Sequence, residues 1–226
     1  MKISTIIPAY NEGANIARVL RVVTSSSDID EVVVVNDGST DNTLAEIKEF
    51  KEKIKIISYL KNKGKGYALQ QGLKQVTGEF VLFLDADLIG LTQNHLKKLK
   101  MAILPRPNDL VIGIVKNATR IVGAKLAMLP GGLRIFKKSS LEENFVNQWP
   151  TFDHAVDLMI SDYFKKKKRR IFFLRLPGLN HIDKHLKYDF SLGMRENIRL
   201  NTQFAKAIPK LESWFDLVRG NQIING

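Results

Sequence analysis

The stretch Phe80-Val81-Leu82-Phe83-Leu84-Asp85-Ala86-Asp87 carries an unbroken apolar run straight into a pair of carboxylates. A continuous run of aromatic, β-branched and aliphatic residues marks a strand covered on both faces, as in a parallel sheet. Val32-Val33-Val34-Val35-Asn36-Asp37 has the same plan, and Ile3-Ser4-Thr5-Ile6-Ile7-Pro8 is a third β-rich apolar segment. Helical spacing lies between them. Residues 15–24 carry Ile16, Val19, Leu20 and Val23 on one face; residues 44–50 and 67–76 also read as helices, with a strand at 53–59 between them. This alternation predicts an α/β fold, with a mostly parallel central sheet flanked by helices. Ligands of such sheets sit beyond the carboxyl ends of the strands. Chemistry is therefore expected just after Pro8, Asn36, Tyr59 and Leu84.

The rest of the chain is less regular. Residues 94–101 read as helix, 110–115 as strand, 151–164 as one helix and 171–176 as strand; after Gly193 the pattern is broadly helical, broken by Pro209 and Gly220. The 226 residues are 44% hydrophobic and 26% charged, which suits a globular domain and excludes wholesale disorder. The absence of cysteine excludes disulfides, thiolate metal sites and cysteine nucleophiles. No apolar run approaches the ~18–20 residues of a membrane span. The first residues are too short and strand-like a stretch for a secretory signal, so a cytoplasmic location is expected. A net charge of +12 favours a polyanionic partner: nucleic acid, an anionic membrane or a phosphorylated small molecule.

Each expected loop carries suitable groups. Pro8-Ala9-Tyr10-Asn11-Glu12 follows the first strand, where proline stops the strand and polar residues crowd a turn. After the second strand, Ser39 to Asn42 suit a helix cap, which leaves Asp37 without a structural task. A carboxylate there can accept the imide N–H of a uracil or the edge N–H groups of a guanine, and Gly38 lets a flat base approach the backbone. Asn62-Lys63-Gly64-Lys65-Gly66 interleaves glycines with lysines, which suits phosphate oxygens or a plain solvated turn; it is not a Walker A loop. Asp85 and Asp87, two apart on an extended segment, point the same way. Mg²⁺ typically takes one or two carboxylates plus substrate phosphates, and a metal there would neutralise a diphosphate leaving group. Asp28-Ile29-Asp30 has the same spacing in a polar loop and reads as solvated charge. Asp85 and Asp87 differ in emerging from a buried strand, where uncompensated carboxylates are costly.

As a set, these segments resemble the family 2 glycosyltransferases of the GT-A fold. The resemblance is carried by Ile6-Ile7-Pro8-Ala9-Tyr10-Asn11-Glu12, Val35-Asn36-Asp37-Gly38-Ser39-Thr40-Asp41-Asn42-Thr43, Asn62-Lys63-Gly64-Lys65-Gly66-Tyr67-Ala68 and Phe83-Leu84-Asp85-Ala86-Asp87, in that order. It implies a nucleotide-diphosphate-sugar donor, UDP- or GDP-linked, and a Mg²⁺ or Mn²⁺ ion. Position by position it implies that Pro8, Ala9, Tyr10 and Glu12 line the nucleotide pocket and that Asp37 reads the base. Asn62, Gly64 and Lys65 lie near the donor, Asp85 with Ala86 holds ribose or metal, and Asp87 ligates the metal. Polyprenyl-phosphate sugar synthases and glucosyl-phosphoglycerate synthases are the members most resembled.

The second half resembles the family more loosely. Gly131-Gly132-Leu133-Arg134-Ile135-Phe136-Lys137-Lys138 is similar to its glycine-rich segment and basic pair, which implies that Gly132, Arg134 and the lysines border sugar and acceptor. A turn, a strand and solvated lysines are the plainer explanation. Around residues 152–160 the resemblance implies a catalytic base taking the acceptor's proton. Asp157 fits the position before Leu158, and Asp153 sits one turn away on the same helix face. The plainer explanation is a cap at Asp153 and a solvated Asp157. His181 is the candidate third metal ligand, with His185 one turn on; Lys184, Lys187 and Arg195 suit donor phosphates or a phosphorylated acceptor. One domain is expected over 1–226, with a nucleotide-sugar half at 1–115, an acceptor and catalytic half at 116–192, and a C-terminal helical extension at 193–226.

Gln148-Trp149-Pro150 is not the Gln-x-x-Arg-Trp signature of processive synthases, so transfer of a single sugar is expected; the resemblance implies an inverting reaction on an acceptor hydroxyl or phosphate, and the positive charge suits a lipid-linked or cell-envelope acceptor. The basic run at 165–170 reads as a solvated helix end or as a contact with anionic lipid at the inner face of the cell membrane, at about 1 kcal/mol per residue. Phe204, Ile208, Leu211, Trp214, Phe215 and Val218 recur at helical spacing and fit core, a homodimer contact or an interfacial membrane face. Two other classes compete. A sugar-1-phosphate nucleotidyltransferase needs a glycine-rich signature just after the first strand, where this chain has Pro8 to Glu12. A non-catalytic basic module fits the charge but gives no reason for carboxylates at the ends of two buried strands, and nucleic acid is not expected as a partner.

Overall fold

In the computed structural model, which describes residues 1–114, 132–181 and 222–225, the apolar runs become neighbouring strands of one sheet. The strands are β1 (Ile3–Ala9), β2 (Glu31–Asp37), β3 (Lys55–Tyr59), β4 (Phe80–Phe83), β5 (Leu88–Ile89), β6 (Leu110–Ile114), β7 (Arg134–Lys137), β8 (Ile171–Arg175), β9 (Asn180–His181) and β10 (Gln222–Asn225). Eight of them form one sheet in the order β10-β8-β6-β7-β4-β1-β2-β3, and β5 pairs with β9 separately. Within the large sheet every pairing is parallel except those of β7, which runs antiparallel between β4 and β6. The carboxyl ends of β1, β2, β3 and β4 therefore share one edge with the start of β7.

The helices are α1 (Ile16–Thr24), α2 (Thr43–Lys48), α3 (Lys65–Gln75), α4 (Gln93–Ile103), α5 (Glu143–Val146), α6 (Trp149–Phe152) and α7 (Val156–Lys166). They cover both faces, because the strand side chains alternate between two cores. Val32 and Val34 pack with α1 and α4, while Val33 and Val35 pack with α3 and α7. Full burial of such side chains contributes roughly 1.5–3 kcal/mol each, so the four valines fix the register of β2 from both sides.

Several expectations change in detail. Proline does not end the first strand: β1 runs to Ala9, and Pro8 pairs with Val35. The oxygen of Ile6 faces the β4 side, accepting from Leu84 N–H at 3.1 Å. Pro8, two residues on, faces the same way beyond the last β4 pairing at Phe83, where a missing N–H costs no ladder bond. The helix expected over 151–164 is broken at Asp153, whose φ of +46° lies in the left-handed region. Asp153 and Asp157 therefore do not share a helix face. Asp28 and Asp30 are structural rather than solvated: Asp30 accepts the Ile3 N–H at 2.7 Å, and Asp28 pairs with Lys100 at 2.9 Å. Residues 222–225, expected within a helical extension, form a strand beside β8, in keeping with the β-branched Ile223-Ile224 pair.

The basic run at 165–170, half-buried at Lys165 and exposed from Lys166 on, precedes β8, so it sits at the amino edge of the sheet. A five-residue strand rises about 3.3 Å per residue, which puts roughly 16 Å between that run and the opposite edge. Lys137 and Lys138 also lie at the amino edge, pairing with Glu79 and the Val76 carbonyl, so they do not border a site at the carboxyl edge. Among the described residues, no helix is long and apolar enough to cross a membrane. Gly131, Lys184, His185, Lys187, Arg195 and the apolar stripe from Phe204 to Val218 lie outside the described residues.

Candidate active site

At the carboxyl edge, the loops after β1 and β2 form one hydrogen-bonded unit. Asn11 N–H donates to Ser39 Oγ (3.0 Å), and Asn11 Oδ1 accepts from Thr40 N–H (2.9 Å). Glu12 N–H donates to Thr43 Oγ1 (2.7 Å), and Gly13 N–H to Asp41 Oδ2 (3.1 Å). Of the side chains expected to cap α2, Asp41 does so, accepting the Thr43 N–H on Oδ1 (3.0 Å) while Oδ2 braces the neighbouring loop; Asn42 makes no cap bond. Asn11, with φ of +53°, was not singled out in the sequence. Its signal is its type, since asparagine tolerates the left-handed region better than most residues. Tyr10 stays exposed, whereas the side chains of Ala9 and Glu12 are buried; Glu12 accepts from Asn15 Nδ2 at 3.0 Å.

Asp37 has a structural task after all. It is buried, and its two oxygens accept the N–H groups of Lys63 (2.9 Å) and Gly64 (2.8 Å), while Asn62 Nδ2 donates to its backbone oxygen (3.2 Å). Burial nevertheless raises the Asp37 carboxyl above its ordinary value, against those two amides. Two glycines make this folding possible. Gly38 (φ +71°) and Gly64 (φ +91°) hold conformations that favour glycine, and a Cβ on Gly38 would lie 2.4 Å from the Asn62 nitrogen.

Beyond Gly64 the chain enters α3, whose first residue, Lys65, reaches into the centre of the rim. Its N–H donates to Asp153 Oδ1 (2.9 Å), so Asp153 supplies the anion that a helix N-terminus favours. Its ammonium donates to Asp85 Oδ1 (2.8 Å) and Asp157 Oδ2 (2.7 Å). The other oxygen of Asp157 lies 3.0 Å from Arg134 Nη1, and Arg134 is fully buried. Burial works against the charge on Lys65, but Asp157 and Asp85 outweigh it and hold its pKa above the usual lysine value. Asp157 is thus neither solvated nor at the open rim, and Arg134 stands behind it rather than against a ligand.

Asp85 and Asp87 do not lie on an extended segment: β4 stops at Phe83, and residues 86–87 form a turn into β5. The two-residue ladder of β5 and β9 sets Leu88 opposite His181. This brings His181 Nδ1 to 3.0 Å from Asp87 Oδ1 and Nε2 to 3.7 Å from Asp85 Oδ2. The ladder is anchored from α4, where the buried His95 places Nε2 3.0 Å from the Pro177 oxygen; an oxygen there only accepts, so this nitrogen carries the proton. One ligand atom from each of Asp85, Asp87 and His181 lies within 4.8 Å of the others. Two hard carboxylates and an imidazole suit Mg²⁺ or Mn²⁺, so the residues present fit a divalent ion. Burial opposes charge on both Asp85 and His181. Lys65 outweighs it for Asp85, whose carboxyl sits below its ordinary value, and Asp87 and Asp85 outweigh it for His181, which sits above its own. Ala86 is buried beneath the turn, and Gly132 packs against the Asp85 carboxylate so closely that a Cβ would lie 2.0 Å from both oxygens.

The carboxyl edge thus holds, in one chain of contacts, Asp37, the Lys63–Gly64 backbone, Lys65, Asp153, Asp157, Asp85, Asp87 and His181. Comparison with known proteins adds four findings. The model of Glycosyl transferase family 2 matches residues 4–125. Poly-beta-1,6-N-acetyl-D-glucosamine synthase of Staphylococcus epidermidis is 30% identical over 186 residues, covering 70% of this chain and 44% of that protein. The chain therefore spans less than half the length of that relative. Glucosyl-3-phosphoglycerate synthase of Mycobacterium tuberculosis, solved with Mn²⁺, UDP and phosphoglyceric acid, has a TM-score of 0.67 at 22% identity over 91% of this chain and 78% of that one. The S. aureus TarS 1–349 structure with UDP has a TM-score of 0.57 at 24% identity over 73% and 55%. These likenesses confirm the expected GT-A fold.

Proposed function

The chain belongs to glycosyltransferase family 2, and on that premise we propose that it moves one sugar from a UDP-sugar to an acceptor hydroxyl or phosphate with the help of Mg²⁺ or Mn²⁺. The observation that carries this reading is the convergence of Asp85, Asp87 and His181 with the Lys65 ammonium at the end of β4. Asp85, Asp87 and His181 would hold the ion. A divalent ion there supplies positive charge to a departing diphosphate. UDP rather than GDP is supported by the structures similar in fold, which were solved with UDP.

The chain's own residues divide the remaining tasks. The exposed ring of Tyr10 and the braced loops after β1 and β2 offer the base a bed. Asp37 and Asn62 hold the loop after β3 in place, and the backbone there meets the nucleotide. Asp153 takes the proton of the acceptor hydroxyl as it attacks the anomeric carbon. Its carboxyl is 18% exposed at the rim, against 4% for Asp157, and Asp157 already faces two cations. A base must come within hydrogen-bond reach of the proton it removes. Transfer of a single sugar is supported by the sequence Gln148-Trp149-Pro150, which is not the Gln-x-x-Arg-Trp signature of processive synthases.

The test is UDP release from a panel of sugar nucleotides, alongside thermal shifts with and without Mn²⁺. A bound ligand stabilises the fold by mass action, about 2.7 kcal/mol at a hundredfold excess over Kd. The expected result is a shift for UDP-sugars that needs Mn²⁺, and loss of the metal-dependent part in Asp87→Ala. No release and no shift with any donor, in Mg²⁺ and Mn²⁺ alike, would overturn the proposal.

A further inference from the structure

Lys65 occupies an unusual position for a residue at a diphosphate site, because its ammonium spends both of its described contacts on carboxylates of the protein. One of the two is Asp85, which also belongs to the metal-ligand group. Lys65 lies on Asp85 Oδ1, while Oδ2 is the oxygen turned toward His181; an ammonium on one oxygen and a divalent ion on the other share one negative charge and repel each other across it. We propose that Lys65 is a displaceable placeholder in the cation site: it neutralises Asp85 in the resting protein and must withdraw onto Asp157 before Asp85 can take the metal. The inference rests on the donor-and-metal reading above and deepens it.

Three observations fix which partner moves. Asp85 cannot readily turn aside, since the Gly132 backbone presses on its carboxylate to the point that a Cβ would lie 2.0 Å from both oxygens. Asp157 is buried in α7 and held from behind by Arg134 at 3.0 Å, so it is a fixed second seat. Lys65 reaches both from the first turn of α3 on a flexible four-carbon stem, with three donors that can be re-aimed. A small movement of the ammonium therefore exchanges one carboxylate for the other with no change in the backbone. The arriving donor diphosphate offers the displaced ammonium a new anion. Metal and nucleotide then assist each other's binding through Lys65.

The experiment is Mn²⁺ binding by titration calorimetry and by electron paramagnetic resonance of free Mn²⁺, without nucleotide and then with UDP. Lys65→Met is expected to bind Mn²⁺ about tenfold tighter than wild type without nucleotide, and to gain less from added UDP. Asp157→Asn, which removes the second seat and leaves Lys65 on Asp85, is expected to bind Mn²⁺ more weakly by a similar factor. Lys65→Arg keeps a cation in place and is expected to show no gain. A merely structural Lys65 would lower affinity in Lys65→Met and Asp157→Asn together, and that result would overturn the proposal, as would a gain in Lys65→Arg. If Lys65→Met does not fold, Lys65→Gln takes its place: a gain in Mn²⁺ affinity is again expected, and an unchanged or lowered affinity would overturn the proposal. Wild-type Mn²⁺ binding that Asp87→Asn abolishes keeps the functional reading standing whichever way the Lys65 variants fall. No such binding in the wild type would overturn both.

Discussion

Asp153 sits at φ +46°, a backbone conformation that a non-glycine residue keeps only where its surroundings hold it. Here the hold is the Lys65 N–H on its carboxylate and the close approach of Gly64, where a Cβ would fall 2.5 Å from Asp153 Oδ1. The strained residue ends α6 and turns its carboxyl toward the rim, while Asp157 stays in the first turn of α7 against Lys65 and Arg134. If Asp153 is the base, Asp153→Asn keeps the oxygen that accepts from Lys65 and loses only the proton acceptor. The expected result is a fall of 10²–10⁴ in kcat, the usual span for a general base, with KM nearly unchanged. Steady-state kinetics on the active donor checks it, and an unchanged kcat in Asp153→Asn beside a large fall in Asp157→Asn would exchange their roles. The family resemblance brought both aspartates to notice. The sequence placed them on one face because apolar periodicity runs unbroken through residues 151–164, and a single left-handed residue leaves no mark on that periodicity.

At the scale of elements, the metal-ligand group depends on a ladder two residues long. β5 and β9 are too short to carry any periodic signal, so neither was legible, although His181 itself was. What seats them is a close crossing of two glycine turns: Gly90 (φ +74°) would place a Cβ 2.2 Å from the Gly178 oxygen, whereas Gly178 (φ +86°) has open space around it. Alanine at either position meets comparable backbone strain, of the order of 1–2 kcal/mol. Only Gly90→Ala also pushes the β9 segment, and His181 with it, away from Asp87. Gly90→Ala is therefore expected to weaken Mn²⁺ binding about tenfold or more, and Gly178→Ala to leave it within about twofold while costing similar stability. Equal Mn²⁺ affinity in the two variants, measured beside their melting temperatures, would show that the crossing does not position the histidine.

For the molecule as a whole, the two edges of the sheet do different work. The carboxyl edge gathers the ligand-facing groups, and the amino edge is tied shut by polar contacts. Glu31 is the main tie: it accepts from Ser4 Oγ on β1 (2.5 Å), Lys55 on β3 (2.6 Å) and the Thr77 N–H before β4 (2.7 Å). Burial pushes its carboxyl up, yet these donors outweigh burial and bring it from 4.5 to about 2. A folded pKa below the unfolded one stabilises the fold above the unfolded value, and that contribution fades as pH falls from about 4.5 toward 2. Glu31→Gln should thus lower the melting temperature at pH 7, and its deficit against wild type should shrink as the pH is brought to 3. Thermal melts at the two pH values check this, and a deficit that persists undiminished at pH 3 would remove Glu31 as a source of acid sensitivity. The basic run at 165–170 lies at this same amino edge, where Arg170 pairs with Asp109 at 3.1 Å and Lys167 with Glu142. Its position sets it apart from the rim, which a bare count of +12 cannot reveal.

By itself the sequence determined the class of fold and the places where chemistry gathers. Continuous apolar strands alternating with amphipathic helices leave few arrangements that bury both faces, and polar groups at strand ends must then meet at one edge. Tertiary structure alone decided what each polar group faces. Asp37 accepts two N–H groups of the loop after β3, Arg134 is sealed behind Asp157, and Lys65 lies between Asp85 and Asp157. The reason is physical: burial patterns are periodic and local, so they are written along the chain, whereas charge pairing depends on distances between residues up to 94 positions apart, which no local pattern encodes.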